Sequence, residues 1–480
     1  MISLLSVYIR HLDLSIKSDT VSTDEWLHFH ADRIVSLRIN DIQLNDRLLS
    51  IFVILSRIEL QSVWSQDIFT LSQLKSQPLC FSFPKLNESE THDHLLASVW
   101  HRDSHIKDLS IAYCFTFKAH HFSPSSSLTP SQHLIRLSLV ISHIVLAIDL
   151  MPFIPVVEHL EIRLCDRHNH AGIYRPLHEE IFQACTWPSR VKVLRLLAYN
   201  QITNTYNVCS FIRGFSSSLE NLSLYFTTTS SYLLSSWRNF ERFLLNYLPH
   251  IKRLDFCVHS RAHETPARRT FDRWREKQHV VSIYHEEHLM HTRFTFPFVF
   301  DSLEHVTDDF VDFHSNINRA DFLFSLPTVI NISFRSREKL SLNLFKFIRH
   351  VCPYLRQITF KDFCQLNDDL IEDSRLTIPT LVQLCLDDVY YNSCNDSLRR
   401  LLHLAPNLEH LIIPVKFIRL MSMIENDVGQ FTSIRRLTII EHCCEGAVID
   451  YSFCSDKSEK TMRNIFPNAD ITYQIKGDNY

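Results

Sequence analysis

The stretch HVCPYLRQITFKDFCQLNDDLI, residues 350–371, contains the phrase that decides the fold, Pro-x-Leu-x-x-apolar-x-apolar. It returns as IPTLVQLCLDDV from Ile378, as APNLEHLIIPV from Ala405 and, without proline, as FTSIRRLTIIEH from Phe431. Indexed on the apolar residue that follows apolar-x-x, successive copies are 26, 26, 27 and 26 residues apart. The indexed residues are Ile332, Ile358, Leu384, Leu411 and Leu437. A period of this length predicts an array of similar supersecondary units.

Less regular copies precede this part of the chain. Their indexed residues are Leu12, Leu37, Ile58, Leu109, Leu137, Leu160, Leu194, Leu222 and Leu254. The gap of 51 residues between Ile58 and Leu109 is close to two periods. We therefore expect a degenerate copy in QPLCFSF, indexed at Leu79.

Each copy reads as one strand, one turn and one helix. Alternation in YLRQITF places Leu355, Ile358 and Phe360 on one face of a strand. Segments between the strands have apolar residues three or four apart, as expected for amphipathic helices. Because proline disfavours helix at the residue before it, helices should end just before Pro353 and Pro406.

A single unit cannot bury both its strand and its helix, so neighbours must stack into a continuous core. Parallel strands lie about 4.8 Å apart and packed helices about 8–10 Å apart, so such an array bends with its strands inside. The predicted fold is an α/β solenoid: a curved leucine-rich-repeat array with a parallel concave sheet and helices on the convex side. We expect irregular repeats over 1–260, a basic and histidine-rich interruption over 261–305, and regular repeats with a C-terminal cap over 306–480, all in one continuous solenoid.

Composition excludes several classes of protein. The formal charge of −4 and pI near 6.7 indicate no strong field for nucleic acid or anionic membrane. Only five glycines occur, and none can build the loops of P-loop enzymes, dinucleotide folds or α/β-hydrolases. No nucleophile stands beside a base in a known pattern, so the chain is not predicted to be an enzyme.

The thirteen cysteines include no C-x-x-C pair, and many lie inside apolar phrases. This pattern favours reduced, buried thiols in an intracellular protein over a disulfide scaffold. The N-terminal residues lack the basic region and cleavage site of a signal peptide. Polar residues and prolines interrupt the longest apolar run, which begins at Leu137, so we expect no membrane span and a cytoplasmic or nuclear location.

Histidine is abundant, with 28 residues, and clusters at His28, His92, His168 and in YHEEHLMH from Tyr284. On a helix His288 and His291 would share a face, which leaves a metal site as an alternative. H-E-x-x-H and H-x-x-E-H are both absent. We therefore predict no metal and no cofactor.

The interruption holds six basic residues around Trp274 between positions 261 and 277. Basic residues interleaved with an aromatic can bind phosphates and stack bases. Acidic residues dilute the charge, so a solvated projection is the favoured interpretation, and a nucleic-acid-associated protein is the alternative function.

The phrases CPYLRQITFKDFCQLNDDLI and APNLEHLII resemble the cysteine-containing repeats of F-box/leucine-rich-repeat proteins. In that family the repeats hold the substrate of a cullin-RING ubiquitin ligase, and the F-box holds a Skp1-type adaptor. The resemblance implies an asparagine or cysteine ladder, which Cys114 and Cys165 match, with Asn200, Cys364 and Cys443 one place late. LNDRLLSIFVIL from Leu44 lacks the proline and glutamate of an F-box, so we do not expect the adaptor to bind.

The predicted function is a protein-interaction scaffold, similar to a substrate receptor, with an unidentified protein ligand on the concave face. Residues that flank the indexed positions should point away from the core and contact that ligand. The candidates are His159, Glu161, Arg163, Arg195, Tyr225, Arg253, Asp255, Gln357 and Lys361. We expect Arg163, Arg195, Tyr225 and Arg253 to contribute most.

Overall fold

The structure is a computed structural model that describes part of the chain. The described residues are 11–14, 36–39, 57–60, 80–83, 100, 106–115, 129–142, 144–165, 177–202, 204–228, 246–261, 279–285, 290–312, 314–315, 325–336, 339–361, 364–373, 375–386, 395–415, 417, 431–443 and 456–477. They fall into two compact units. Unit 1 comprises Met1–Thr229 and Arg238–Leu254, and unit 2 comprises Ser230–Trp237 and Asp255–Tyr480.

Unit 1 is built on a parallel sheet whose strands follow one another in sequence order. The strands are β1 His11–Leu14, β2 Ser36–Ile39, β3 Arg57–Leu60, β4 Cys80–Phe83, β5 Asp108–Phe115, β6 Arg136–Ile141, β7 His159–Leu164, β8 Val193–Ile202 and β9 Asn221–Thr228. The indexed residues from Leu12 to Leu222 lie side by side, which confirms the predicted register. The expected index at Leu79 is wrong, because Phe81 pairs with Ile58 and Leu109.

Unit 2 begins with antiparallel strands and continues as a parallel sheet. The strands are β10 Arg253–Arg261, which starts in unit 1, β11 His279–His285, β12 Met290–Phe296, β13 Ser302–Val306, β14 His314–Ser315, β15 Asn331–Arg335, β16 Lys339–Leu340, β17 Gln357–Lys361, β18 Gln365–Leu366, β19 Gln383–Leu386, β20 His410–Pro414, β21 Arg436–Cys443 and β22 Asp470–Gly477. β12 pairs antiparallel with β10 and β11, inside the expected interruption. The seven-stranded sheet runs β13-β15-β17-β19-β20-β21-β22.

The register of this second sheet confirms the regular index positions and adds one at each end. Ile332, Ile358, Leu384, Leu411 and Leu437 lie side by side. Leu303 precedes them on β13, and Ile471 follows them on β22. The sequence analysis did not identify these two additional copies of the phrase.

Helices of moderate length connect some of these strands, so the α/β arrangement with parallel sheets is confirmed. The α-helices are α1 Ile144–Leu150, α2 Glu179–Ala184, α3 Thr205–Arg213, α4 Leu342–Val351, α5 Asp368–Glu372, α6 Asn395–Leu404 and α7 Asp456–Ile465. The Ser341 hydroxyl caps α4 by accepting from the Leu344 N–H. α4 and α6 end before Pro353 and Pro406, as predicted.

The proline phrase forms a four-residue turn that leads into the strand. In CPYL the N–H of Leu355 donates to the Cys352 carbonyl at 3.2 Å, and the first and last residues are buried. The same bond closes LPTV, IPTL and APNL in unit 2, at residues 326–329, 378–381 and 405–408. Proline suits the second position of such turns because its φ is already set near −65°.

The interior of each unit consists of the indexed strand residues and of the apolar faces of the helices that pack on them. Leu194, Leu222, Ile358, Leu384 and Leu411 are fully buried. Within the described ranges, no helix has the length and apolar character needed to cross a bilayer.

The cysteines follow the prediction only in part. Cys165 is disulfide-bonded, so the expectation of reduced thiols is wrong for this residue. Six cysteines with described side chains form no disulfide, and burial raises the pKa of Cys209 and Cys352 to about 12 each. Of the expected ladder, Cys364 donates to the Lys361 carbonyl at 3.0 Å and accepts from the Ser336 N–H at 3.3 Å.

Candidate functional site

On β6 and β7 the sheet of unit 1 has a polar face, which follows from strict alternation along these two strands. In β6 and β7 every second residue is buried, and the residues between are partly or fully exposed. Parallel pairing then places Ser138, Glu161 and Arg195 side by side on β6, β7 and β8. Arg163 lies two residues beyond Glu161 on the same face.

Four side chains on this face form one cluster, which we call the Glu161 cluster: Ser138, Glu161, Arg163 and Arg195. Arg163 Nε donates to Glu161 Oε1 at 2.7 Å, and an Arg195 guanidinium nitrogen lies 3.0 Å from Glu161 Oε2. The Ser138 hydroxyl donates to Glu161 Oε1 at 3.4 Å. Three of the predicted contact residues are therefore brought together by two neighbouring strands.

The cluster is held in place but remains accessible. The side chains of Glu161, Arg163 and Arg195 are 16%, 39% and 35% exposed. Ion pairs with this much exposure stabilise a fold by about 0.2–1 kcal/mol each. The Glu161 cluster therefore contributes little to the stability of the fold. Its main consequence is that one carboxylate holds two guanidinium groups in place.

His159 and Arg253 are exposed, as predicted for residues that flank an indexed position. His159 opens β7, next to Arg136 in the strand register, and Arg136 lies 3.5 Å from an Asp108 carboxylate oxygen. Arg253 opens β10, where its N–H donates to the Glu220 carbonyl. Neither side chain is among the contacts that form the Glu161 cluster.

The predicted exposure of Tyr225 and Asp255 is wrong. Tyr225 is fully buried, and its ring centroid lies 4.5 Å from that of Tyr199. Asp255 is buried as well, with buried neighbours on both sides in β10. β9 from Leu224 to Thr228 and β10 from Leu254 to Ser260 are covered on both faces, a state that unbroken apolar runs such as LYF, residues 224–226, indicate.

Gln357 and Lys361 belong to unit 2 and form a separate polar group on β17. Lys361 Nζ lies 3.4 Å from Glu304 Oε2 on β13, and both side chains are mostly buried. Gln357 Nε2 donates to the Thr359 hydroxyl at 3.5 Å. Glu304 was missed by sequence reasoning because its strand lay in the expected interruption, although DSLEHV follows the repeated phrase.

A second polar group, which sequence reasoning did not predict, joins the last three strands of unit 2. A ring nitrogen of His410 lies 3.0 Å from the Thr438 hydroxyl, which lies 3.2 Å from the Thr472 hydroxyl. Burial and the nearby Arg436 guanidinium lower the pKa of His410. This series of contacts between side chains ends at Thr472 on β22.

A buried polar group occupies the antiparallel part of unit 2. His259 Nδ1 lies 2.8 Å from the Thr292 hydroxyl, and its Nε2 lies 3.7 Å from Cys257 Sγ. The His305 ring lies 4.9 Å from that of His259. Although a thiol beside an oriented imidazole resembles a nucleophile with its base, Cys257 and His259 are fully buried, so a substrate could not reach them in this conformation.

Ion pairs line the turn edge of the unit 1 sheet, beside a groove of about 760 Å³. Lys192 and Lys252 lie 3.1 and 2.8 Å from Glu158 and Glu220. The hydrogen bond from Lys252 lowers the pKa of Glu220. Because the two signs alternate along this edge, the groove has no strong preference for either charge.

Several sequence-based candidates lie outside the described residues: the F-box-like segment from Leu44, the histidine clusters at His28, His92, His168 and His288, and the basic residues 262–277. His291 is buried on β12. Among the described side chains, no three histidine, cysteine or carboxylate groups come together as a metal site. No protein-family profile and no curated protein matches the chain.

Proposed function

We propose that this chain is a protein-interaction scaffold that holds a segment of a partner protein on the polar face of its repeat sheet. In this proposal the array is a curved leucine-rich-repeat solenoid similar to the receptor part of F-box/leucine-rich-repeat proteins, and the polar face is concave. The spacing of strands against helices supports the curvature. The partner is an intracellular protein.

The observation that carries the proposal is the Glu161 cluster. Arginine side chains lose less freedom on binding when they are already held in place, so a fixed pair is a better anchor than two mobile ones. Each guanidinium has five N–H donors, and one carboxylate cannot accept from all of them. The two arginines therefore favour a ligand segment with carboxylate or phosphate groups over a basic one.

The test compares the proteins retained by full-length variants on a column. Replacing Arg163 and Arg195 by alanine removes both guanidinium groups from the Glu161 cluster. The matched control replaces Lys192 and Lys252, which also removes two cations and two ion pairs from unit 1. Quantitative mass spectrometry should identify a partner retained by the wild type and the control but reduced at least about tenfold for the arginine variant.

The circular dichroism and melting temperature of both variants should match the wild type, because the pairs are partly exposed. Equal retention by the arginine variant, or equal loss with the control, would contradict the assignment. Two defined probes belong to the same experiment. A Skp1-type adaptor should not bind, and a single-stranded oligonucleotide that bound with a steep salt dependence would favour the alternative function.

A further inference from the structure

A groove of about 630 Å³ in unit 2 is lined by one face of α4 and by the loop that follows α5. The basic residues of α4 that line it are spaced three and four positions apart, so they share a face of the helix. Leu344, Ile348 and Val351 are buried, which leaves the basic face to solvent. The lining residues are Lys346, Arg349, His350, Asp373, Arg375 and Leu376.

The loop adds an arginine from the next repeat. Arg375 is exposed, and its N–H donates to Asp373 Oδ1 at 2.8 Å. Lys346 Nζ lies 3.9 Å from the other oxygen of the same carboxylate. Asp373 therefore connects the loop to α4, so that basic groups of two neighbouring repeats line one groove.

Arg400 of α6 supports the loop from the interior. This residue is buried, and its Nε and Nη2 donate to the Leu370 and Leu376 carbonyls at 2.7 and 2.8 Å. The hydrogen bond from the Arg375 N–H has the largest effect in lowering the pKa of Asp373, and the Arg400 charge lowers it further. Within the described part of the chain the remaining nitrogen, Nη1, has no hydrogen-bond partner. A buried cation thus stands behind the loop, in addition to the exposed cations of the groove.

The groove has a positive charge that its own residues do not neutralise. Its lining carries three permanent cations and one carboxylate, and His350 is a further hydrogen-bonding group. The Arg349 and Arg375 side chains make no hydrogen bond or ion pair with any residue that the structure describes. Basic residues at the end of a helix also favour its dipole, which explains Arg349 and His350 but not Arg375. In the unit 1 groove both lysines are paired with glutamates, so the unit 2 groove is the better site for an anion.

We propose that this groove binds a single phosphate monoester group through Lys346, Arg349 and Arg375. Such a group carries a charge of about −1.5 to −2 at pH 7, which matches the two uncompensated positive charges, whereas a carboxylate carries only one. Guanidinium groups bind phosphate oxygens in pairs of parallel hydrogen bonds. The volume lies within the range of about 300–1,000 Å³ typical of small-ligand sites. The carrier of the phosphate is a small molecule or a phosphorylated protein side chain, and the inference does not rest on the ligand proposed for unit 1.

Fluorescence polarisation at pH 7 with a labelled alanine pentapeptide that has phosphoserine at its centre tests the proposal. The wild type should bind this probe at least about tenfold more tightly than the same peptide with serine or aspartate at that position. The double variant Arg349→Ala/Arg375→Ala should raise the Kd at least about tenfold. The matched control, Arg356→Ala/Arg435→Ala, removes two exposed arginines of unit 2 that do not line the groove and should keep the wild-type Kd. Circular dichroism of both variants should match the wild type, because all four side chains are exposed.

Competition with free phosphoserine distinguishes the two carriers. Displacement at the Kd of the peptide would indicate a small phosphorylated molecule, and displacement at least about tenfold weaker would indicate a protein segment that makes further contacts. The variant with Arg163 and Arg195 changed to alanine should bind the probe as the wild type does. Loss of binding in that variant but not in Arg349→Ala/Arg375→Ala would move the phosphate site to unit 1 and overturn the proposal. Absence of binding, or equal binding of the serine peptide, would overturn it as well.

Discussion

Gly214 is a residue whose missing side chain the packing requires. It follows α3 with an ordinary right-handed backbone, φ −58°, so its conformation alone would permit alanine. A Cβ at this position would overlap the ring of Trp187. That ring is fixed edge-on against Phe211 and Phe215, at centroid distances of 5.5 and 5.1 Å, and its Nε1 donates to the Phe182 carbonyl at 3.0 Å.

Replacing Gly214 by alanine should lower the free energy of unfolding by about 1–3 kcal/mol, since the half-buried Trp187 ring cannot move without losing its contacts. Urea unfolding followed by tryptophan fluorescence measures the change. Ser217→Ala, at an exposed position in the following turn, is the control and should have little effect. A Gly214→Ala variant as stable as the wild type would mean that the ring has room to shift.

The turns are the elements that tie neighbouring repeats together at their edges. Asn407 Nδ2 donates to the Pro379 carbonyl at 2.9 Å, and Asn468 Nδ2 donates to the Thr432 carbonyl at 3.0 Å. In unit 1 the Ser218 hydroxyl donates to the carbonyl of Val191, the last residue of the preceding turn. A side chain in one turn thus bonds the backbone of the preceding turn, in addition to the contact made by Cys364.

Changing Asn407 to aspartate keeps the shape of the side chain but removes the donor. The free energy of unfolding should fall by about 0.5–1.5 kcal/mol, the usual contribution of one such hydrogen bond. The same change at Asn343, which is exposed in the first turn of α4, should not destabilise, because an acidic residue there favours the helix dipole. Equal losses at the two positions in a urea titration would reject a specific role for the turn.

The molecule as a whole combines a small net charge with many histidines. Its 49 basic and 53 acidic residues nearly cancel, so the 28 histidines determine the charge in weakly acidic solution. The reference pKa of histidine is near 6.5, so protonation below neutral pH adds positive charge while most carboxylates stay ionised.

The electrophoretic mobility should therefore change sign near the pI of about 6.7 and become strongly cationic toward pH 5. Electrophoretic light scattering on a pH series measures this directly. A mobility that stayed negative down to pH 5 would mean that most histidines do not titrate in the folded protein. Because attraction to acidic partners would rise over the same range, binding tests need a fixed pH.

The sequence by itself determined the repeat. Period-two alternation predicted which residues enter the core, and the strands place Ile358, Leu384 and Leu411 side by side as expected. Proline marked the helix ends because its effect on the preceding residue is local. The pairing of Glu161 with Arg195 could also be anticipated, since both immediately follow an indexed residue and parallel register aligns them.

Only the tertiary structure decided what covers each face. Tyr225 obeys the same alternation as Arg163, yet it is buried because other residues pack on that side of β9. Ile471 fills an indexed position whose phrase is too degenerate to recognise, and pairing with β21 identifies it. The disulfide at Cys165 likewise depends on an approach that spacing does not encode. Periodicity is a property of a few consecutive residues, whereas burial depends on residues distant in sequence, so the sequence predicts the repeat and the structure decides which surfaces remain available for binding.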